Sequence, residues 1–89
     1  MGTFWLVDTE TTGLYADKNQ MIEVGMMAID DDMRILSSDA FFIKHKEYTI
    51  DAKALKVNRI DLEMVDRMGI TESEAADRIL QFVHKNKPE

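Results

Sequence analysis

Two apolar stretches joined by three aspartates constrain the fold of this chain more than any other feature. Apolar side chains alternate with other residues through residues 21–29, the pattern of a half-buried strand. Asp30–Asp32 supplies a short turn, and residues 35–43 give the next strand. Because so short a connection joins antiparallel neighbours, these strands form a hairpin. The apolar stretch Thr3–Val7 adds a strand before them, so we predict a three-stranded antiparallel meander in which residues 9–20 form a loop.

The second half of the chain carries helical patterns. Residues 52–57 and 62–68 each predict a short helix. Thr71 followed by Glu74 is a capping box, the side-chain pair that begins many helices. An apolar stripe at helical spacing follows it: Ala76, Ile79, Leu80 and Val83. We therefore predict a last helix that ends near Lys85 and lies across the sheet, which makes the fold class α/β.

Composition limits the possible functions. The chain has 89 residues, enough for one domain, with 11 basic and 17 acidic side chains and a net charge of −6. A protein that binds nucleic acid through phosphate contacts alone should be basic. If this chain meets nucleic acid, metal ions must neutralise carboxylates, or basic residues must come from elsewhere. With no cysteine, disulfides and thiolate metal sites are excluded.

Hydropathy indicates no membrane-spanning helix, since no stretch approaches the ~20 consecutive apolar residues that a span needs. The first residues also lack the basic and apolar regions of a signal peptide. We therefore expect no membrane association and a cytoplasmic location.

Asp8 and Glu10, directly after the first strand, are the most informative side chains. Alternate residues of an extended chain share a face about 6.5 Å apart, so the two carboxylates can converge in front of the sheet. Carboxylates this close repel one another unless they share a proton or a cation, and oxygen ligands suit Mg²⁺ or Mn²⁺. Thr11, Thr12 and Gly13 add hydroxyls and a small residue beside which a ligand can approach. The alternative is that the pair merely ends a strand in a solvated loop.

Residues 4–14 resemble the first motif of the 3′–5′ exonucleases whose site holds four acidic residues. These are the proofreading-subunit-like, DEDD-type members of the ribonuclease H-like superfamily, and the core of the motif here is Asp-Thr-Glu-Thr-Thr-Gly-Leu. Residues 21–25 match the second-strand signature of that family, and residues 50–83 are similar to its next segment. The resemblance implies that residues 1–89 are the N-terminal part of one exonuclease domain, namely the meander and following helices of a truncated ribonuclease H-like fold.

The resemblance implies hydrolysis of the terminal phosphodiester at a nucleic-acid 3′ end by two metal ions. Asp8 and Glu10 would be the catalytic ligands of Mg²⁺ or Mn²⁺, with Asp8 bridging the two ions. The residues around them would bind the terminal nucleotide: Thr9, Thr11, Thr12, Gly13 and Leu14. We interpret Glu23 as a strand residue that faces solvent. The resemblance favours single-stranded DNA over RNA as substrate, and a polymerase as partner if the enzyme proofreads.

The family also requires two further aspartates and a general-base histidine, and the two motifs that carry them are absent from these 89 residues. His45 with Asp51, and His84 with Glu89, approach the spacing of the third motif but stand in the wrong elements. We therefore expect both histidines to be exposed surface residues. We also expect the isolated chain to be inactive.

Two alternatives remain open. The segment that contains Asp8 and Glu10 resembles the nucleophile motif of haloacid-dehalogenase-like phosphatases, although that family has aspartate at the second position and no hairpin strand after it. The other alternative is a non-catalytic interaction module or truncated subunit. Its incomplete sheet would leave an edge for a second copy, which predicts a homodimer. Binding of Mn²⁺ at Asp8 and Glu10 separates the exonuclease from the interaction module, since an interaction module has no need of the ion.

Overall fold

The computed structural model describes residues 2–13, 15, 18–49 and 61–87. Five elements follow one another along the chain: β1 Thr3–Thr11, β2 Met21–Asp30, β3 Ile35–Phe42, α1 Leu62–Met68 and α2 Glu72–Lys85. The strands form one antiparallel sheet in the order β1-β2-β3, which confirms the predicted meander. The predicted helix at residues 52–57 lies outside the described residues.

Strand β1 runs to Thr11 rather than ending at Val7, so the prediction of a loop from residue 9 is wrong for its first three residues. Pairing with β2 continues in register, with Thr9 opposite Val24, and shifts only after Glu10. β-branched threonine favours extended backbone, and the register shift lies at the end of the paired segment. The acidic pair is therefore built into a paired strand.

The turn between β2 and β3 forms as predicted. The side-chain Oδ1 of Asp30 accepts hydrogen bonds from the backbone N–H groups of Asp32 and Arg34, at 2.8 and 2.9 Å. Met33 completes the turn with a positive φ of 65°. Local aspartate-to-backbone bonds of this kind are the reason that aspartate favours turns.

Helix α2 covers one face of the sheet. It begins at the predicted capping box of Thr71 and Glu74 and ends at Lys85, both as expected. The core combines the helix with the two later strands and with Ile43, the residue after β3: Val24, Met26, Ala28, Phe41, Ile43, Ala75 and Phe82. The described part of the chain contains no helix of the length and apolar content that a bilayer span requires.

The predicted apolar stripe of α2 is confirmed at Ile79, which packs against the core, and Val83 is half-buried, but the prediction is wrong at Ala76 and Leu80. Ala75 and Phe82 are buried, whereas Ala76 is exposed and Leu80 is 55% exposed. Arg78 lies on the buried face, where its guanidinium pairs with Asp39 of β3 and stands over the Phe41 ring, 4.7 Å from its centroid. The hydropathy pattern counts only apolar side chains, so a charged residue on the sheet-facing side of the helix, such as Arg78, shifts the predicted stripe away from the side that is buried.

The connection after β3 returns to the sheet through α1. Asp61 caps α1 by accepting a hydrogen bond from the N–H of Glu63 at 2.9 Å, and the helix ends at Met68 as predicted. Ile43 and Ile70 then form a parallel bridge. This bridge fixes the start of α2 beside the segment that follows β3.

Candidate active site

Asp8 and Glu10 lie on the face of the sheet that α2 leaves uncovered. The Trp5 ring meets the Phe82 ring of α2 edge-on, with centroids 5.9 Å apart, so alternate residues from Trp5 face the helix. Side chains alternate along a strand, which puts both carboxylates on the opposite face. Asp8 is exposed and Glu10 is half-buried.

Glu23 of β2 is directly opposite Glu10 in the strand register. Directly opposed residues of an antiparallel pair point to the same face, so the Glu23 carboxylate lies on the same face of the sheet as the acidic pair. Glu23 is half-buried, and the interpretation of it as a solvent-facing residue missed this neighbour. The available signal was the alternation of β2, which puts Glu23 on the face away from buried Ile22 and Val24.

The donor chemistry fits a divalent cation, with Asp8 and Glu10 as its protein ligands. No three histidine, aspartate or glutamate side chains among the described residues are grouped closely enough to hold a metal ion. Mg²⁺ and Mn²⁺ are commonly held by one or two carboxylates, with water and substrate oxygens completing the shell. Like charges opposed at Glu10 and Glu23 also favour a nearby cation.

A groove of about 620 Å³ runs beside Asp8 on the open face. Gly25, opposite Asp8, contributes no side chain, and a Cβ built there would meet nothing closer than the Asp8 carbonyl oxygen at 4.0 Å. Other lining residues are Leu6, Met27, Ser38 and Ala40. Apolar surface and polar edges thus adjoin the carboxylates, and the space in front of them is open.

The residues after Glu10 close a loop. The Thr11 hydroxyl donates to the carbonyl of Gly13 at 2.6 Å. Thr12 is fully buried; its hydroxyl accepts from the N–H of Gln20 at 3.0 Å, and its own N–H donates to the Gln20 carbonyl at 2.9 Å. A Cβ on Gly13 would lie 2.5 Å from side-chain atoms of Asn19. Internal contacts therefore occupy the Thr12 side chain and the space beside Gly13.

Of the two remaining predicted binding residues the structure describes Thr9, whose side chain does not lie beside the carboxylates. Thr9 is exposed on the helix-side face, opposite Val24, and Leu14 lies outside the described residues. The structure therefore brings together Asp8 and Glu10, adds Glu23, and directs the Thr9 side chain elsewhere.

His45 is not the exposed residue that we expected. Its side chain is only 9% exposed. The ring Nδ1 lies 2.7 Å from Glu72 Oε1, and Nε2 lies 2.7 Å from the Met21 carbonyl oxygen. His84 is exposed on α2, as expected. Sequence spacing does not reveal these contacts, because the partners of His45 lie 24 and 27 positions away along the chain.

Comparison with known proteins identifies the family. Residues 6–88 match the family model RNase_T, described as exonuclease. The chain belongs to this exonuclease family. An oligoribonuclease of Chromobacterium violaceum is 29% identical over 91 residues, covering 96% of this chain and 50% of that protein. An oligoribonuclease of Nocardia farcinica is 28% identical, covering 94% and 41%. This exonuclease-family chain thus spans about half the length of the curated relatives.

Solved structures share the fold. Escherichia coli exonuclease I in complex with a dT13 oligonucleotide superposes with a TM-score of 0.82 at 20% identity, over 92% of this chain and 18% of that one. Its complex with a dA16 oligonucleotide gives a TM-score of 0.83 over the same shares. The three strands and following helices are therefore a fragment of the ribonuclease H-like exonuclease fold. The family match also removes the phosphatase alternative.

Proposed function

We propose that the chain carries the first half of a metal-dependent 3′–5′ exonuclease site that acts on single-stranded nucleic-acid ends. The main support is that Asp8 and Glu10 share the open face of the sheet. Asp8 lines a groove on this face, and Glu10 is opposite Glu23 in the strand register. A bound Mg²⁺ or Mn²⁺ supplies an activated water and stabilises the developing charge on phosphate oxygens. Two such ions remain the prediction for the complete site.

The chain's own residues hold and shape this site. Asp8 and Glu10 bind the cation, and Glu23 adds negative charge on the same face of the neighbouring strand. We assign Thr12 and Gly13 to shaping the loop, since both are buried by its internal contacts. Nucleotide binding remains a prediction for all five residues named from the sequence: Thr9, Thr11, Thr12, Gly13 and Leu14.

The similar proteins differ in the kind of nucleic acid that their names and complexes indicate. The matching solved structures include complexes with dT13 and dA16 oligonucleotides, whereas the curated relatives are oligoribonucleases. Our prediction favours DNA, and assays need both nucleic acids. A polymerase partner and a cytoplasmic location also remain predictions.

Binding of Mn²⁺ tests the proposal most directly, by calorimetry on wild type, Asp8→Asn and Asp32→Asn. Asp32 is a matched control, since it is an exposed aspartate in the β2–β3 turn. We expect Asp8→Asn to weaken binding by at least about tenfold, because it removes a charged ligand, and Asp32→Asn to leave it unchanged. Equal affinity in all three proteins would refute the proposal.

Release of nucleotides from 3′-labelled DNA and RNA is the companion assay, with Mn²⁺ or a chelator. We expect no activity from the 89-residue chain, because the two further carboxylates and the histidine that the family requires are absent from it. Activity abolished by both chelator and Asp8→Asn would mean that another subunit completes the site.

A second proposal concerns the free edge of β1. In the described sheet β1 has a neighbour only in β2, and Leu6 and Val7, on its opposite faces, are 54% and 60% exposed. A strand laid alongside the edge covers apolar side chains on both faces at once. We propose a second copy in antiparallel pairing centred on Leu6. Asp8 then stands opposite Phe4 of the partner subunit, whereas parallel in-register pairing would oppose like charges.

Sedimentation of Val7→Lys tests this pairing, with Leu80→Lys as the control. Both residues are exposed and apolar, and Leu80 lies on helix α2 rather than on the strand that would pair. We expect wild type and Leu80→Lys to dimerise and Val7→Lys to be monomeric, since charged residues block edge pairing. A monomeric wild type at high concentration would contradict the proposal.

A further inference from the structure

His45 links two elements through both of its ring nitrogens. Nε2 faces the carbonyl oxygen of Met21, and Nδ1 faces the carboxylate of Glu72, each at 2.7 Å. A carbonyl oxygen and an ionised carboxylate only accept hydrogen bonds, so both ring nitrogens must donate. A neutral imidazole carries one N–H group. Both contacts therefore form together only when the ring is protonated.

The surroundings of His45 are charged on several sides. Glu72 approaches from α2, and Lys44, Lys46 and Glu47 line the same cleft. The Tyr48 ring packs edge-on, with centroids 5.7 Å apart.

Tyr48 fixes the backbone of His45. The Tyr48 hydroxyl accepts the backbone N–H of His45 at 3.0 Å and donates to Asp66 of α1 at 2.5 Å. Burial, followed by the hydrogen bond to Asp66, raises the pKa of Tyr48. The Tyr48 hydroxyl therefore stays protonated and bound to Asp66. It does not contribute to a change in the contacts of the His45 ring.

The contact with Met21 fixes the exit of the loop that follows the acidic strand. Met21 is the register partner of Thr11, next to Glu10, and Gln20 holds buried Thr12. The same loop is tied to Thr49, whose N–H donates to Gln20 Oε1 at 2.7 Å and whose carbonyl accepts from Asn19 Nδ2 at 2.7 Å. The segment 45–49 thus clamps the loop through His45 and Thr49.

We propose that protonated His45 is a positioning residue that holds residues 18–21 against the start of α2. The proposal deepens the proposed function. It rests on that function in one respect, namely that the loop held by His45 lies near the bound nucleotide. His45 touches neither Asp8 nor Glu10, and it acts through Met21. When the ring loses a proton, one of its two contacts must break, so the loop loosens as pH rises.

Amide hydrogen exchange tests the clamp on the whole chain, with no need for catalysis. We compare wild type, His45→Gln and the control His84→Gln, whose histidine is exposed on α2. We expect His45→Gln to accelerate exchange at the Thr12 and Thr49 amides by about tenfold, the loss of roughly one hydrogen bond. His84→Gln should match wild type. Equal exchange in all three proteins would overturn the proposal.

A pH series separates the protonated clamp from simple packing. Deprotonation of the ring removes one of its two N–H donors, so wild-type protection at Thr12, corrected for intrinsic exchange, should be greater at acidic than at alkaline pH. His45→Gln should show no such difference. At the acidic end, ¹⁵N spectra should detect both ring N–H groups of His45. Protection that does not change with pH would overturn the proposal.

A second variant tests the same contact in case His45→Gln disturbs the fold. Glu72 is 74% exposed, so Glu72→Gln removes the charge that faces His45 with little effect on packing. We expect its loop exchange to lie between wild type and His45→Gln, and exchange equal to wild type would count against the charged contact. Because exchange is measured without metal or substrate, failure of the Mn²⁺ experiment would leave this test informative.

Discussion

The indole N–H of Trp5 donates to the carbonyl oxygen of Asn86 at 2.6 Å, across 81 positions of the chain. Asn86 follows α2 and is buried, and its side-chain Nδ2 donates to the carbonyl of Phe82 at 3.0 Å. With the edge-on contact between Trp5 and Phe82, this bond anchors β1 to the end of the last helix. The strand that carries the acidic pair is thereby held from the helix side.

Replacing Trp5 by Phe should lower the free energy of unfolding by about 1–2 kcal/mol. The change keeps an aromatic ring but leaves the Asn86 carbonyl without its partner, and it also shrinks the buried surface. Urea denaturation followed by circular dichroism measures the difference. Phe4→Leu is the control, since Phe4 is 54% exposed on the opposite face and should change stability by less than about 0.5 kcal/mol. Equal effects would contradict the role of Trp5.

Replacing Arg78 by Lys should destabilise the packing of α2 on β3. Arg78 donates through two nitrogens to the two oxygens of Asp39, and this contact raises the pKa of Arg78. Lysine keeps the charge but not the planar fork. Because the Arg78 side chain is 37% exposed, solvent screening limits the expected loss to about 0.5–1 kcal/mol.

A double-mutant cycle with Asp39→Asn measures this pair. The two substitutions should be less costly together than the sum of the single effects, since each removes the same interaction. Arg67→Lys, at an exposed site on α1, is the matched control. Strict additivity would mean that Arg78 and Asp39 are not coupled.

The capping box should make stability depend on pH. The backbone N–H of Thr71, followed by its hydroxyl, lowers the pKa of Glu74 below the usual 4.5. A lowered pKa in the folded state adds stability above the unfolded-state value, and that contribution is lost as pH falls through the folded-state value. Wild type should therefore exceed Glu74→Gln in stability at neutral pH, with the gap closing below about pH 4. Acid titrations of both proteins, with Glu63→Gln as control, measure it, and a gap that stays constant would contradict the assignment.

Alanine substitutions at two glycines should have opposite outcomes. A Cβ on Gly69 would lie 2.4 Å from the Val65 carbonyl oxygen and 2.9 Å from the Lys44 nitrogen, both backbone atoms. Gly69→Ala must shift backbone and should cost about 2–3 kcal/mol. A Cβ on Gly25 would meet only the Asp8 carbonyl oxygen, at an ordinary contact distance of 4.0 Å, so Gly25→Ala should be neutral or stabilise by about 0.5 kcal/mol through the unfolded state. Thermal and urea denaturation compare the two, and similar losses would contradict the geometry.

Local patterns were reliable where local interactions decide the structure. The alternation of β2, the aspartate turn and the capping box at Thr71 each involve residues within a few positions of one another, and each prediction is confirmed. The patterns were misleading where a distant partner changes the outcome. Arg78 occupies a core-facing position because its guanidinium pairs with Asp39, which lies 39 positions away along the chain. Strand β1 continues past Val7 because β2 supplies hydrogen-bonding partners.

The sequence by itself determined the order of the described elements, the family resemblance and the acidic pair, since two carboxylates at alternate strand positions share a face in any sheet. Only the tertiary structure decided that Glu23 opposes Glu10 and that His45 joins Met21 to Glu72. Strand register and long-range hydrogen bonds depend on how distant segments pack together. No local period in the chain encodes that packing, so these neighbours emerge only in the folded protein.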